Sequence, residues 1–279
     1  MNSNLKSTLY VIWYIVLFFI IQLVCQMAAV IFVFAGSSQN APLSQFFDKV
    51  TGTPLILALV ASSLITIVVF GYLKYSPFSN QYLRSHPWDV VFWAAMLSLG
   101  TILPSEFLLE RIEVQMPETA MKIFESIMGR PEGYLVIGML VPVAEEMAFR
   151  GAVLRRLLRM MPQVNHWVPI VISAILFGLV HGNLPQFIHA FIIGLLLGWM
   201  YSRTGSIVPG IVFHWVNNTV AFVMFNLMPQ MNDGKLIDLF HGNRSLMVGG
   251  LLCSLCILLP SIFQLYRTMK PMESAKSDR

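Results

Sequence analysis

The most constraining feature of this sequence is a series of long intervals without any Asp, Glu, Lys or Arg. These intervals are Ser7 to Phe47, 50–73, 90–105, 133–144, 160–202, 204–232 and 245–266. A membrane-spanning helix needs about 20 consecutive, mostly apolar residues. The 160–202 interval is too long for one span, and Gly182, Asn183 and Pro185 divide it in two. We therefore predict an all-α, polytopic membrane helix bundle with about eight spans, near 9–34, 54–75, 87–107, 134–157, 166–181, 186–202, 206–228 and 245–267.

The composition excludes the other broad classes of protein. Hydrophobic residues make up 56% of the chain and charged residues only 11%, whereas a soluble globular domain carries roughly 25% charged residues. Intrinsic disorder is excluded because disordered chains are rich in charge and poor in apolar residues. The net charge of +4 comes without a basic run or an aromatic RNA-binding motif, so we expect no nucleic-acid partner. The expected environment is the lipid bilayer.

The distribution of Lys and Arg predicts the orientation of the chain. With a cytoplasmic N-terminus, eleven of these residues fall on the cytoplasmic side and six on the other, as expected when basic residues concentrate inside. We therefore predict a multi-pass protein of the plasma membrane with both termini in the cytoplasm. The predicted regions are 1–129 (the first three spans and an outer amphipathic segment), 130–228 (a catalytic core of spans four to seven) and 229–279 (the last span and a tail).

The outer amphipathic segment carries signals of a short helix. Pro117 and Gly129 suit its first residue and its C-terminal stop. Met121, Phe124, Ile127 and Met128 share one face. This helix either lies in the membrane interface or packs on the bundle, and the sequence leaves both arrangements open.

Three charged residues interrupt the fourth predicted span. An isolated carboxylate near the bilayer centre costs at least about 2.5 kcal/mol, and ionisable groups at this depth usually serve a function. Glu146 and Arg150 are four residues apart with the acid first, which favours an ion pair on one helix face. Glu145 is rotated about 100° away, which leaves it as a free carboxylate. Alternatively, Arg150 pairs with both acids and the three residues only stabilise the bundle.

Further polar residues lie in the following spans. His181 ends the fifth span, and His214 and Asn218 are four residues apart in the seventh, so they face the same way. His189, in the sixth span, has no polar companion at helical spacing, and we interpret it as a packing residue. Buried polar groups must find partners, so we expect Glu145, His181, His214 and Asn218 to converge.

Such a group of residues suits peptide hydrolysis. A carboxylate in a medium of low dielectric constant can accept a proton from water near neutral pH, and His and Asn side chains can donate to an oxyanion. The chain contains neither a GxSxG nor an HExxH motif, so a serine protease is poorly supported and we expect no metal or other cofactor. A zinc site remains open, because His181, His214 and one Glu could provide three ligands, with water as the fourth.

Three motifs in this order resemble the CAAX-processing and bacteriocin-processing (CPBP, or Abi) intramembrane proteases. They are Glu145-Glu146-x-x-x-Arg150, Phe177-x-x-x-His181 and His214-x-x-x-Asn218, and the resemblance covers about a third of the chain. It implies a glutamate-dependent endopeptidase, similar to the Ras-converting type, that acts on a membrane-associated peptide or protein, with a site open to the cytosol. By position, Glu145 resembles the water-activating residue and His214 its helper. His181 and Asn218 resemble the oxyanion-side pair, and Glu146 and Arg150 the supporting pair.

Two other functions compete with the enzyme. One is a non-catalytic peptide-binding or bacteriocin-immunity protein of the same fold. The other is a transporter that uses Glu145 to couple protons, although the sequence shows neither the broken helices nor the inverted halves typical of transporters. In an enzyme, a conservative replacement of Glu145 abolishes product formation and leaves folding intact. In a structural protein, the same change lowers the folded yield.

Overall fold

The computed structural model of this chain describes residues 3–36, 49–77, 80–112, 115–228 and 235–269. These residues are almost entirely helical, and no strand occurs among them. In chain order the helices are α1 Ser3–Ala35, α2 Thr53–Tyr72, α3 Asn80–Arg84, α4 Trp88–Ile112, α5 Glu118–Met128, α6 (131–160), α7 Trp167–Leu179, α8 Leu184–Thr204, α9 Val208–Leu227 and α10 Arg244–Thr268. A short 3₁₀ helix, Leu236–Phe240, precedes α10.

Each of the eight predicted spans coincides with a helix, which confirms the prediction of a polytopic helical bundle. In the described part of the chain, α1, α2, α4, α8, α9 and α10 are long and apolar enough to cross a membrane. Helix α7 has 13 residues and is therefore only about 20 Å long at 1.5 Å per residue. This is less than the roughly 30 Å of a hydrocarbon core, so we expect His181, just beyond its end, to lie at membrane depth.

Helix α6 alternates between α and π winding. Its successive segments are Pro131–Tyr134 (α), Leu135–Leu140 (π), Val141–Glu145 (α), Glu146–Leu154 (π) and Arg155–Met160 (α). π segments are rare, and they occur frequently at functional sites. Every residue from Glu146 to Leu154 is buried, because α1, α2, α7 and α8 surround this segment. The most enclosed part of the bundle thus directly follows Glu145.

The amphipathic helix α5 packs on the bundle. It begins at Glu118, directly after Pro117, and ends before Gly129, close to the predicted bounds. The ring of Phe124 lies 5.9 Å from that of Phe225, and Ile127 and Met128 are buried. The contact with Phe225 of α9 and these two buried side chains favour the arrangement in which the helix packs on the bundle.

The two ends of the bundle differ in their side chains. At one end, which we call the arginine end, the guanidinium of Arg156 lies 4.7 Å from the ring centre of Tyr10. There Arg203 Nη2 also donates to the carbonyl of Met269 at 3.0 Å. At the opposite end, which we call the loop end, the backbone N–H of Leu236 donates to Glu110 Oε2 at 3.2 Å. The loop end comprises the start of α2, the end of α4, all of α5, the end of α9 and the 3₁₀ helix.

A close contact joins α4 and α10. A Cβ added to Gly100 would lie 2.7 Å from the backbone nitrogen of Leu258 and 2.8 Å from its Cα. Small residues at such crossings let membrane helices approach closely, and the resulting van der Waals contacts stabilise the pair. Gly100 therefore sets the separation of these two helices.

We expect Gly100→Ala to destabilise the protein by about 1–3 kcal/mol, the usual cost of overpacking, because Leu258 meets the new methyl group with backbone atoms that cannot rotate away. Thermal unfolding of the purified protein in detergent measures this. The matched control is Gly249→Ala in α10, where an added Cβ meets nothing within 4 Å. Equal midpoints for the two variants would show that the α4–α10 contact is loose.

Candidate active site

Glu146 and Arg150 form a buried ion pair within the second π segment of α6. Arg150 Nη1 donates to Glu146 Oε1 at 2.9 Å, and both side chains are at most 1% exposed. The guanidinium also lies 4.1 Å from the ring centre of Phe177. Arg150 Nη2 lies 3.5 Å from the carbonyl oxygen of Gly194. The pair therefore links α6 to α7 and α8, and in the described part of the chain Arg150 forms its ion pair with Glu146 rather than Glu145.

Both acids of the motif lie beside one imidazole. His214 Nε2 is 3.7 Å from Glu145 Oε2, and His214 Nδ1 is 3.8 Å from Glu146 Oε1. The sequence predicted that Glu145 points away from Glu146, and the two carboxylates lie beside different nitrogens of this ring. The two carboxylates diverge around the ring of His214, which α9 places between them. Only Glu145, with 12% of its side chain exposed, reaches the adjoining cavity, whereas Glu146 is fully buried.

His181 is fixed by the backbone of α7, the helix that precedes it. Its Nδ1 lies 2.9 Å from the carbonyl oxygen of Phe177. A carbonyl only accepts, so Nδ1 carries the hydrogen of this bond and Nε2 is the atom left for the cavity. The edge-to-face ring contacts of Phe177 with His181 and His214, at 5.1 and 6.0 Å between centroids, hold both imidazoles. The Phe177-x-x-x-His181 motif is thus one packed unit.

Asn218 satisfies a backbone carbonyl that the π winding leaves open. In the first π segment of α6 the N–H of Val141 donates to the carbonyl of Val136. The next bond in this pattern would join Pro142 to Ile137, but proline has no N–H. Asn218 Nδ2 donates to the Ile137 carbonyl instead, at 2.9 Å. This bond places the Asn218 side chain at the edge of the site and joins α9 to α6.

His189 belongs to the same neighbourhood, although it was interpreted as a packing residue. Asn217 Nδ2 lies 3.5 Å from His189 Nε2 and donates to Asn218 Oδ1 at 3.3 Å. Both His189 and Asn217 line the cavity described below. No sequence spacing reveals this contact, because His189 and Asn217 lie on different helices, 28 residues apart.

A cavity of about 1300 Å³ adjoins these polar side chains. Glu145, His181, His214 and Asn218 all line it, whereas Glu146 and Arg150 do not. Small-molecule pockets usually enclose about 300–1,000 Å³, so this space suits a larger ligand. Apart from these polar groups, much of its lining is apolar and rich in methionine, and it includes Ile102, Leu109, Met121, Phe124, Met128, Met224 and Phe225.

The zinc alternative needs three ligands that converge. Among the residues that the structure describes, no group of three or more His, Cys, Asp or Glu side chains is arranged to hold a metal ion. His181, one of the three ligands considered above, uses Nδ1 for the carbonyl of Phe177. Hydrolysis without a metal stays a prediction, and an experiment for it is given below.

Comparison with known proteins identifies the core of the chain. Residues 132–220 match the family model described as "Type II CAAX prenyl endopeptidase Rce1-like". The matched segment is thus similar to this family. It contains all six residues of the predicted site, from Glu145 to Asn218.

A curated relative extends the similarity beyond this segment. A Bacillus subtilis (strain 168) protein named "Putative membrane peptidase YdiL" is 22% identical over 245 residues. The matched region covers 86% of this chain and 97% of that protein. No solved structure matches the chain. The helices long and apolar enough to cross a bilayer make this a multi-pass membrane protein, and its residues 132–220 are similar to CAAX-type proteases.

Proposed function

We propose that this protein is an intramembrane endopeptidase in which Glu145 activates water to hydrolyse a peptide bond of a membrane-associated protein or peptide. The observation that carries the proposal is the position of the Glu145 carboxylate. It lies 3.7 Å from His214 Nε2 on one side and lines a cavity of about 1300 Å³ on the other. We further propose that the protein resides in the plasma membrane with both termini in the cytoplasm.

The proposed reaction begins with water in the cavity beside Glu145. Glu145 accepts a proton from this water as its oxygen bonds to the carbonyl carbon of the substrate, and the carbonyl oxygen becomes an oxyanion. The C–N bond then breaks as the proton passes to the amide nitrogen, which leaves a new carboxyl terminus and a new amino terminus. A positioned proton transfer of this kind contributes about 10²–10⁴-fold to the rate.

The remaining residues have supporting roles in this proposal. His214, next to Glu145, orients the carboxylate and shares the transferred proton. His181 presents Nε2 to the substrate, because Phe177 holds its Nδ1, and it stabilises the oxyanion when both of its ring nitrogens carry hydrogen. Asn218 has a second amide hydrogen besides the one donated to Ile137, and this hydrogen completes the oxyanion site. Glu146 and Arg150 support the site without contacting the substrate.

We expect Asn218→Ala to lower the hydrolysis rate by about 10²–10³-fold, the usual effect of removing one oxyanion donor. The rate of product formation at saturating substrate measures this. The matched control is Asn226→Ala, since Asn226 lies on the same helix and also donates Nδ2 to a backbone carbonyl, that of Met128, at 2.9 Å. Equal losses of activity in both variants would mean that Asn218 acts only by fixing the backbone.

The test of the proposed function is mass spectrometry of membrane-associated peptides with and without the intact protein. We expect pairs of fragments that appear only with the protein and that join at one peptide bond. A non-catalytic binding protein would enrich or protect peptides but would produce no such pairs. Identical fragment sets in both samples would refute the proposal.

Treatment with a chelator distinguishes hydrolysis without a metal from hydrolysis that depends on zinc. We expect the purified protein to keep its activity after treatment with a chelator of divalent cations, because the proposed base is a carboxylate that needs no metal. Elemental analysis of the same sample checks whether zinc copurifies. Activity that disappears with the chelator and returns with Zn²⁺ would make Glu145 a metal ligand or a metal-assisted base.

A further inference from the structure

Among the described residues, the lining of the proposed active-site cavity reaches only one end of the bundle. Charged and polar residues of the loop end line it, among them Glu106, Arg111, Gln115 and Lys235. None of the Lys and Arg side chains described at the arginine end does so. The peptide must therefore approach Glu145 from the loop end.

The opposite route to Glu145 is closed by packing. On the arginine-end side of the polar cluster, every residue from Glu146 to Leu154 is buried. Leu197 of α8 and Phe213 of α9 are also fully buried there. Interiors packed in this way leave few voids larger than a water molecule, so the described residues leave no second entrance from the arginine end to the site.

The short helix α7 supports an opening filled with water at the loop end. It ends at Leu179, and residues 180–183 connect it to α8 without helical structure. Irregular backbone at membrane depth is tolerated only where it is buried in protein or lines a cavity that contains water. His181 belongs to the 180–183 segment and lines the cavity. This favours a cavity that contains water.

The charges of the two ends indicate which one faces the cytoplasm. Among the described residues, the arginine end carries eight basic residues and one acid, and the loop end carries six of each. The basic residues of the arginine end are Lys6, Lys74, Arg84, Arg155, Arg156, Arg159, Arg203 and Arg267. The loop end has Lys49, Arg111, Lys122, Arg130, Lys235 and Arg244, and its acids are Glu106, Glu110, Glu118, Glu125, Glu132 and Asp238. Because Lys and Arg concentrate in cytoplasmic loops, the arginine end is the cytoplasmic one.

We infer that the cavity opens on the extracytoplasmic face of the membrane, and that its substrate is a polypeptide segment that has reached that face. The inference that the cavity holds a polypeptide substrate rests on the proposed function. An opening on the extracytoplasmic face differs from the resemblance to the CPBP proteases, which implied a site open to the cytosol. The methionine-rich lining adapts to many apolar shapes, so we expect apolar side chains next to the cleaved bond.

Cysteine accessibility in intact cells tests the side of the opening without reference to activity. In a variant whose native cysteines Cys25, Cys253 and Cys256 are replaced by alanine, we introduce Met121→Cys at the cavity or Val164→Cys at the arginine end. A membrane-impermeant maleimide should label Met121→Cys in intact cells, and Val164→Cys only after permeabilisation. Val164 suits this control because it is 46% exposed in the connection between α6 and α7. The reverse pattern of labelling would overturn the inference.

A reconstitution experiment tests the substrate side separately. The protein is reconstituted in vesicles, and labelling of the same two cysteine variants establishes its orientation. A peptide that contains the bond identified by mass spectrometry is then added on one side only. We expect cleavage when the peptide is on the side of the Met121→Cys label, and at least a tenfold lower rate from the other side. Faster cleavage from the Val164→Cys side would overturn the inference and leave the proposed hydrolysis intact. No cleavage from either side, with labelling as expected, would refute the proposed function and leave the opening on the extracytoplasmic face.

Discussion

Replacing Glu145 with Gln should lower the rate of peptide hydrolysis by at least about 10²–10⁴-fold, the contribution of a positioned proton transfer, while the protein still folds and binds its substrate. Glutamine keeps the shape of the side chain but cannot accept a proton from water. Glu145 is not the partner of Arg150, which pairs with Glu146, so the change leaves no buried guanidinium unpaired. Product formation measures the rate, and cross-linking of the peptide to the variant measures binding.

The matched control for this prediction is Glu106→Gln. Glu106 is a second carboxylate that lines the same cavity, on α4, and it has no place in the proposed reaction. The Glu106→Gln variant should therefore retain most of the hydrolytic activity. Retained activity in Glu145→Gln would remove the enzymatic account, and a loss of folded protein in Glu145→Gln would assign Glu145 a structural role.

Arg150→Ala should destabilise the protein by about 3–5 kcal/mol, the usual cost of removing one partner of a buried ion pair. The variant would leave the Glu146 carboxylate, which is fully buried, without its cation. It would also remove the contact between the guanidinium and the ring of Phe177 at 4.1 Å, and with it the support of His181 and His214. We expect a large loss of folded protein in detergent, measured as the yield of the monodisperse fraction and as the unfolding midpoint.

The exposed pair Glu118–Lys122 provides the control for Arg150. It has the same i, i+4 spacing and a similar distance, 2.8 Å, but both side chains are largely exposed. Exposed pairs contribute little to stability because water and salt screen them, so Glu118→Ala should unfold at the same temperature as the parent protein. An unfolding midpoint of Arg150→Ala equal to that of Glu118→Ala would contradict a structural role for the Glu146–Arg150 pair.

The spans were predictable because burial in lipid excludes charge over long stretches of sequence. The intervals without charge, together with the breakers Gly182, Asn183 and Pro185, located the helices to within a few residues at most ends. The winding of α6 was not predictable in this way. Pro142 signals a local break in hydrogen bonding, but whether the helix kinks or widens into a π turn depends on its neighbours. Here Asn218, which follows Pro142 by 76 residues in the chain, provides the missing donor.

The candidate site shows the same limit at the level of single side chains. Spacing alone predicted that Glu146 pairs with Arg150, because the two residues are four apart on one helix. It could not show that Glu145 and Glu146 lie on two sides of His214, since α9 provides that ring. Nor could it show that Asn217 connects His189 to Asn218. Contacts between helices depend on tertiary packing, which a single sequence does not encode as a short motif.

The most direct test of water activation by Glu145 is a cleavage reaction carried out in water enriched in ¹⁸O. In the parent protein we expect one heavy oxygen in the carboxyl terminus newly formed at the cleaved bond, because water provides that oxygen. The Glu145→Gln variant, folded and bound to the same peptide, should yield no labelled product over the same time, and Glu106→Gln should yield it at nearly the parent rate. Labelled product from Glu145→Gln at the parent rate, or unlabelled product from the parent protein, would contradict the account.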